Sequence, residues 1–102
     1  MNNNEKNQDY LNILRKIYEE NEISQRGLAK KLGFSLGKLN YCLKALKNKG
    51  YLKIKNFNQN PNKLNYAYIL TPKGISQKTS LTISFMKKKM QEFDELKKEL
   101  EK

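Results

Sequence analysis

Two short amphipathic segments lie close together in the middle of the chain and restrict the folds that it can adopt. Ser24 and Ser35 can each cap the N-terminus of a helix, and Gly33 and Gly50 can each adopt the left-handed backbone conformation that ends a helix. Apolar residues recur between these signals at helical spacing, and the inward faces consist of Leu28, Ala29, Leu32, Leu36, Leu39, Leu43 and Leu46. Two helices joined by about three residues that include a glycine are typical of a helix-turn-helix motif. The sequence predicts this motif over residues 24–50.

The segments on either side extend the pattern. Asp9 can cap a first helix that continues to Asn21, with apolar residues at Tyr10, Leu11, Ile13, Leu14, Ile17 and Tyr18. We expect the polar residues 1–8 to be disordered. After the motif, the apolar period changes from 3.6 to 2 in residues 51–57 and 64–70, with Asn and Pro turn formers between them. These features predict a further helix and a β-hairpin.

The last segment predicts one long helix. Thr71 provides an N-cap, Pro72 suits the first helical position, and no breaker follows Gly74. A helix that continues to about Glu101 would be roughly 40 Å long, which exceeds the needs of a small domain. Its apolar residues follow an imperfect heptad pattern and consist of Ile83, Met86, Met90, Phe93, Leu96 and Leu100. We expect this row to pair with the same row of a second copy, and either a parallel or an antiparallel arrangement is possible.

These elements together define the predicted fold. The class is α+β and mostly α. Residues 9–71 are expected to form a winged helix-turn-helix domain, with three helices and a two-stranded β-hairpin wing. Residues 72–102 are expected to form the long C-terminal dimerisation helix.

Acidic residues are confined to the two ends of the chain. Residues 23–91, hereafter the acid-free segment, hold fifteen basic residues and no Asp or Glu, and they account for the net charge of +11. Codon bias would not remove acids from one segment only. The distribution predicts a polyanion-binding surface, and nucleic acid is the commonest polyanionic partner.

The helix after Ser35 is the part of this surface best suited to read DNA. If its leucines are buried, its opposite face presents Gly37, Lys38, Asn40, Tyr41, Lys44 and Lys47. Asn pairs with adenine, Lys reaches guanine, a glycine lets the backbone approach, and the capped helix N-terminus can hold a phosphate. The alternative is an amphipathic helix that is merely solvated.

Further contacts to the DNA backbone are expected from two neighbouring elements. The preceding helix would contribute Gln25, Arg26 and Lys30, and the wing would contribute Lys55, Asn62 and Lys63. Such contacts position a domain but do not read sequence. Any one of these lysines can equally be a solvated surface residue.

Other functions find little support in the residues present. The chain has no His, a single Cys and no Gly-rich phosphate loop, so we predict no enzyme, no metal site and no cofactor. Cys42 is predicted to fill core space, and a redox-sensing thiol is the less favoured alternative. No membrane span or signal peptide is evident, which predicts a cytoplasmic protein.

A known family resembles this sequence. The stretch ISQRGLAKKLGFSLGKLNYCLKALKNKGYLKIKNF, followed by YILTPKG, resembles MarR-type winged-helix regulators, and LGFSLGKLNYCLKALKNKG resembles the subgroup associated with extracellular polysaccharide (EPS). The resemblance implies a DNA-binding dimer near polysaccharide genes. It places Ser35, Lys38, Asn40 and Tyr41 where the recognition helix meets bases and phosphates. Three residues differ from the family pattern. Gly27 stands where the subgroup usually has Glu, and Asn62 and Lys63 stand where larger MarR proteins carry an Asp-x-Arg-like wing motif.

Three functions follow from these observations. The first is a homodimeric regulator that binds duplex DNA at a roughly palindromic site. The second is a protein-interaction module whose last helix recruits a partner. RNA binding is the third and is less favoured, because the hairpin lacks the aromatic side chains on which the bases of single-stranded RNA stack. Whether a small-molecule effector exists is left open.

Overall fold

Four helices and a short hairpin make up the computed structural model, which describes residues 3–20, 22–56, 59, 61–62 and 65–102. The elements are α1 (Asn3–Glu19), α2 (Gln25–Leu32), α3 (Leu36–Asn48), β1 (Leu52–Ile54), β2 (Tyr68–Leu70) and α4 (Pro72–Leu100). This order matches the predicted winged helix-turn-helix with a long last helix.

The capping signals of the helix-turn-helix motif are confirmed. Ser24 Oγ accepts a hydrogen bond from the Gly27 amide at 3.1 Å, which caps α2, and Ser35 Oγ accepts from the Lys38 amide at 3.1 Å, which caps α3. Gly33 ends α2 with φ at 69° in the left-handed region. The caps fix the turn between the two helices, and with it the direction in which α3 leaves the core.

The hydrophobic core lies where α1 crosses the helix-turn-helix motif. Its fully buried side chains are Ile13, Leu14, Ile17, Leu28, Leu39, Leu43 and Leu46. Leu52 of β1, Tyr68 of β2 and Leu81 of α4 belong to the same cluster. The wing and the start of α4 therefore pack on the same core as the three helices, which positions them relative to α3.

Helix α1 begins earlier than predicted. It starts at Asn3, so Asp9 lies inside the helix and is not its N-cap, and residues 3–8 are helical where disorder was expected. Extending a helix costs little once its first turns have formed on a packed face. Glu5 in the first turn also suits the positive end of the helix dipole. Polar composition alone was a poor guide to this segment.

The hairpin is shorter than predicted but has the expected antiparallel pairing. Leu52 pairs with Leu70 and Ile54 with Tyr68. The Asn56 Oδ1 accepts a hydrogen bond from the Ala67 amide at 2.7 Å, which continues the pairing beyond the strands. The predicted strand residues 57 and 64 lie outside the described part of the chain.

Helix α4 begins at the predicted position. Thr71 Oγ1 accepts from the Gly74 amide at 3.0 Å, and Pro72 occupies the first turn. The helix has 29 residues and is therefore about 43 Å long, within a molecule whose longest extent is 61 Å. Only its first half reaches the core, through Leu81 and Phe85.

One predicted core residue lies at the surface. Leu36 is 42% exposed, whereas Leu39, Leu43 and Leu46 are at most 2% exposed. At roughly 100° per residue the buried arc of α3 is centred near Leu39 and includes Cys42, so Leu36 falls about 70° away at the edge of the arc. The prediction that Leu36 belongs to the buried stripe was wrong.

Candidate nucleic-acid interface

The side of α3 opposite its buried leucines carries several of the residues predicted to contact DNA. Tyr41 is 64% exposed, Lys44 is exposed, and Asn40 is half-buried. A Cβ built on Gly37 would meet nothing within 4 Å, so this part of the helix is open to the approach of another molecule. The side carries a carboxamide, a phenol and basic groups, which suits contact with base edges and phosphates.

Lys38 has partners within the chain. Its Nζ lies 3.2 Å from Asp9 Oδ2 and 4.3 Å from the centre of the Phe34 ring. Asp9 comes from the middle of α1, so this pair connects α1 to the first turn of α3. An incoming phosphate or base would have to compete with both partners for the Lys38 ammonium group.

A groove of about 280 Å³ separates α3 from the wing. It is lined by Asn40, Leu43, Lys44, Lys47, Ile54, Tyr66 and Tyr68. Within the part of the chain that the structure describes, neither Lys44 nor Lys47 forms an ion pair. The groove thus has an apolar floor and uncompensated positive charge on its α3 side, an arrangement that suits a polyanion.

Two other lysines of the acid-free segment are paired with acids that directly follow α1. Lys31 pairs with Glu20, and Lys55 pairs with Glu22. All four side chains are 37–55% exposed, so each pair contributes at most about 1 kcal/mol and yields readily to a stronger anion. The contact of Lys55 with DNA remains a prediction, and it would require a phosphate to replace the Glu22 carboxylate.

The predicted role of Gln25 does not agree with the structure. Its side chain is 1% exposed, and its Oε1 accepts no hydrogen bond from any described residue. Ser24, which precedes it, pairs with Ala67, so the start of α2 is covered by the base of the wing. Gln25 is a buried residue, so its side chain is not presented on the surface as predicted. Arg26 and Lys30 of the same helix are exposed, and their contact with the DNA backbone remains a prediction.

Of the two residues predicted to contact DNA from the wing tip, the structure describes one. Asn62 is exposed, and its carbonyl accepts from the Asn65 amide at 3.0 Å. Lys63 lies outside the described residues. The contact of both residues with DNA remains a prediction.

Cys42 is a buried residue of α3. It is 2% exposed, and burial, aided by the charge of Asp9, raises the pKa of its thiol above the ordinary value. Reactive cysteines have exposed thiolates with a lowered pKa. The structure favours the packing role over the redox role. Among the described residues no cluster of His, Cys, Asp and Glu could hold a metal ion.

From Ile83 onward, α4 carries an apolar row with no covering element in the described chain. It consists of Ile83, Met86, Met90, Phe93, Leu96 and Leu100, which are 49–87% exposed. Soluble proteins rarely leave such a continuous row in water, so a contact surface is indicated. A groove of about 340 Å³ between α1 and α4 adjoins it, lined by Leu11, Arg15, Thr82, Phe85, Met86, Lys89 and Met90.

Sequence reasoning missed two residues of this region. Asp9 was interpreted as a helix cap, and nothing local in the sequence indicates that it meets Lys38 across the fold. Leu36 was assigned to the core. Cys42 and Leu36 lie on opposite edges of the arc that Leu39 centres, and only Cys42 is covered by neighbouring elements.

Comparison with known proteins agrees with this geometry. A family of winged helix-turn-helix DNA-binding domains matches residues 11–53. No curated protein matches the sequence. None of the described helices combines the length and the apolar character needed to cross a membrane.

Solved structures of MarR regulators share the fold. MarR of Staphylococcus aureus, in complex with salicylate and kanamycin, superposes with a TM-score of 0.73 at 18% identity, over 85% of this chain and 57% of that chain. FabT of Streptococcus pneumoniae, in complex with DNA, gives 0.62 at 20% identity, over 85% and 59%. Apo MarR of E. coli gives 0.60 at 26% identity, over 72% and 53%. This chain thus spans little more than half the length of these structures.

Proposed function

We propose that this chain, which has the winged helix-turn-helix fold shared by MarR regulators, is a MarR-type transcription regulator that binds duplex DNA as a homodimer. The observation that carries the proposal is the open side of α3. It presents Asn40, Tyr41, Lys44 and Lys47 from a helix whose segment contains no acid. FabT, which has the same fold, is known in complex with DNA.

Helix α3 would enter the major groove, which is about 12 Å wide and admits a helix. Ser35 and the first amides of α3 would approach a phosphate, Asn40 would face a base, and Lys44 and Lys47 would neutralise the backbone. Arg26 and Lys30 of α2, and the wing through Lys55, would contact the flanking phosphates. Gln25 takes no part, because it is buried.

The apolar row of α4 would form the dimer contact. Burial of six exposed apolar side chains against a second copy would remove a large apolar surface from water. Two copies related by a two-fold axis would place two α3 helices in successive major grooves, about 34 Å apart, on a roughly palindromic site. The resemblance to the polysaccharide-associated subgroup makes polysaccharide biosynthesis genes the first candidates for its targets.

A salt titration with charge variants tests the DNA-binding part. We expect affinity for a genomic duplex to fall by at least about a thousandfold between 50 and 200 mM salt, because phosphate contacts release counterions. Lys44→Gln with Lys47→Gln should lower the slope of log affinity against log salt by about two. The control, Lys97→Gln with Lys98→Gln, removes the same charge from the far end of α4 and should leave the slope unchanged. Equal slopes in both double variants would contradict the proposal.

Analytical ultracentrifugation of variants in the apolar row tests the dimer. Met90→Glu with Phe93→Glu puts charge into the apolar row and should convert a dimer to a folded monomer that binds DNA weakly. Ser84→Glu, at an exposed α4 position outside the row, is the matched control. A truncation must end after Phe85, since Leu81 and Phe85 pack on the core. A dimer that survives the double variant would remove the row from the interface.

The exposed apolar row also supports the second candidate, a protein-interaction module. In that case the purified chain would be monomeric, would bind no duplex at 50 mM salt, and would require the row for capture of a different protein. Sequencing of the genomic fragments that the protein retains would identify its targets and would test the link to polysaccharide genes.

A further inference from the structure

The first turn of α3 presents an apolar side chain where the proposed interface begins. Leu36 directly follows the cap residue Ser35 and is 42% exposed, although the other leucines of α3 are buried. A single exposed leucine is common on protein surfaces and by itself indicates nothing. Its position matters here, because the N-terminal residues of the second helix are those that meet base edges in a helix-turn-helix protein.

The residues next to Leu36 leave few polar side chains in this turn that could form hydrogen bonds to base edges. Gly37 has no side chain, and the Lys38 ammonium group is held by Asp9 at 3.2 Å and by the Phe34 ring at 4.3 Å. Helix α3 contains no arginine, the residue that most often reads guanine. The first turn therefore offers a branched alkyl group and open backbone, without an uncompensated cation.

Asn40 lies one turn after Leu36 on the same side of the helix. Residues four apart are neighbours on a helix surface, so the alkyl group of Leu36 and the carboxamide of Asn40 can face adjacent base pairs. The major groove displays one apolar group, the C5-methyl of thymine, and adenine offers the donor and acceptor pair that a carboxamide matches. The two side chains are thus complementary to A·T pairs.

We propose that Leu36 is a specificity-determining residue that contacts a thymine methyl group in each half-site, next to an adenine read by Asn40. This inference rests on the proposed function and deepens it, since it specifies the chemistry of the operator. Leu36 contributes discrimination between bases, whereas Lys44 and Lys47 contribute affinity for any duplex.

Replacement of thymine by deoxyuridine tests this directly, because it removes only the methyl group. The full chain would first select tight-binding duplexes from a random library. Each thymine of the selected site would then be replaced in turn by deoxyuridine. We expect one position in each half-site at which the wild-type protein loses about fourfold in affinity, the effect of one buried methyl group.

Variants of Leu36 connect that loss to the residue. Leu36→Ala and Leu36→Gln should bind the thymine and deoxyuridine duplexes equally well, whereas Leu36→Met should keep most of the discrimination. The control is Ile75→Ala, which removes an apolar side chain of similar exposure (44%) from α4 and should retain the full loss. If Leu36→Ala does not fold, Leu36→Gln gives the same readout and keeps the stem of the side chain.

The outcomes separate the two proposals. If the wild-type protein selects no duplex, the proposed function fails. If it selects a site in which no deoxyuridine replacement lowers affinity, or if Leu36→Ala and Leu36→Gln keep the fourfold loss, the role of Leu36 is overturned while the DNA-binding function stands.

Discussion

The Lys38–Asp9 pair changes the interpretation of one predicted contact residue. Both residues could be read from the sequence, but the interaction between them could not. Asp9 is 15% exposed at its side chain and lies beside the first turn of α3. Its carboxylate therefore occupies the position of an anion next to the proposed interface. It neutralises Lys38 in the free protein and would repel an approaching phosphate backbone.

Asp9→Asn should raise the affinity for duplex DNA by about two- to fivefold at low salt, because it frees Lys38 and removes a negative charge near the phosphates. The slope of log affinity against log salt should also become steeper by about one, because one additional counterion is released on binding. Titration of a labelled duplex at several salt concentrations measures both. Glu19→Gln, which removes an α1 acid paired with Lys16, is the control. Unchanged or weaker binding by Asp9→Asn would show that Lys38 serves only to connect α1 and α3.

Among the elements, the start of α4 packs closely against the backbone just before β1. Gly74 is buried in the first turn of α4, against the backbone of Tyr51. A Cβ at Gly74 would overlap the carbonyl oxygen of Tyr51 and lie 2.9 Å from its carbonyl carbon. The glycine allows α4 to start against the wing, and thereby sets the direction in which the apolar row leaves the domain.

Gly74→Ala should lower the free energy of unfolding by about 2 kcal/mol or more, because backbone atoms cannot move aside as a flexible side chain can. Urea unfolding followed by circular dichroism measures the change. Gly37→Ala is the matched control: it is also a helical glycine but has open space around it, and it should stabilise the protein by up to about 1 kcal/mol. Equal effects of the two substitutions would contradict the close packing of α4 on Tyr51.

The whole molecule separates its charges along the chain and in space. Acids near the N-terminal end, including Asp9, Glu20 and Glu22, fold back onto lysines of the acid-free segment. Lys44 and Lys47, in contrast, form no ion pair among the described residues and line the groove beside the wing. The groove beside the wing therefore carries uncompensated positive charge on its α3 side.

Stability should fall as the pH rises above about 9, in part through Cys42. Burial raises the pKa of its thiol above the ordinary 9.0, so the thiol ionises in the unfolded chain at a lower pH than in the folded chain. The unfolded state then binds fewer protons, and the free energy of unfolding decreases with pH. Burial likewise raises the pKa of the Tyr10 and Tyr68 phenols above 10.0, which extends the loss to higher pH.

Urea unfolding between pH 7 and 11 checks this prediction. The Cys42→Ala variant is less stable at neutral pH because it leaves a small cavity, but its stability should fall less between pH 9 and 10 than that of the wild-type protein. Parallel curves for the two proteins would contradict a buried thiol with a raised pKa.

Local signals were enough to predict most of the fold. The caps at Ser24, Ser35 and Thr71 and the left-handed glycines Gly33 and Gly50 all appear where expected, because such signals act within a few residues. Errors arose where burial depends on distant elements. Gln25 was assigned to the surface and is buried, and Leu36 was assigned to the core and is exposed.

The element order, the helix boundaries after residue 20 and the basic character of α3 could all be predicted from the sequence, because they follow from periodicity, capping and composition. Three features became evident only from the three-dimensional arrangement: Asp9 pairs with Lys38, Gln25 is buried, and Leu36 lies at the edge of the buried arc. Each of these depends on which faces of separate elements meet. That choice is made by the packing of the whole core, and no local pattern of residues encodes it.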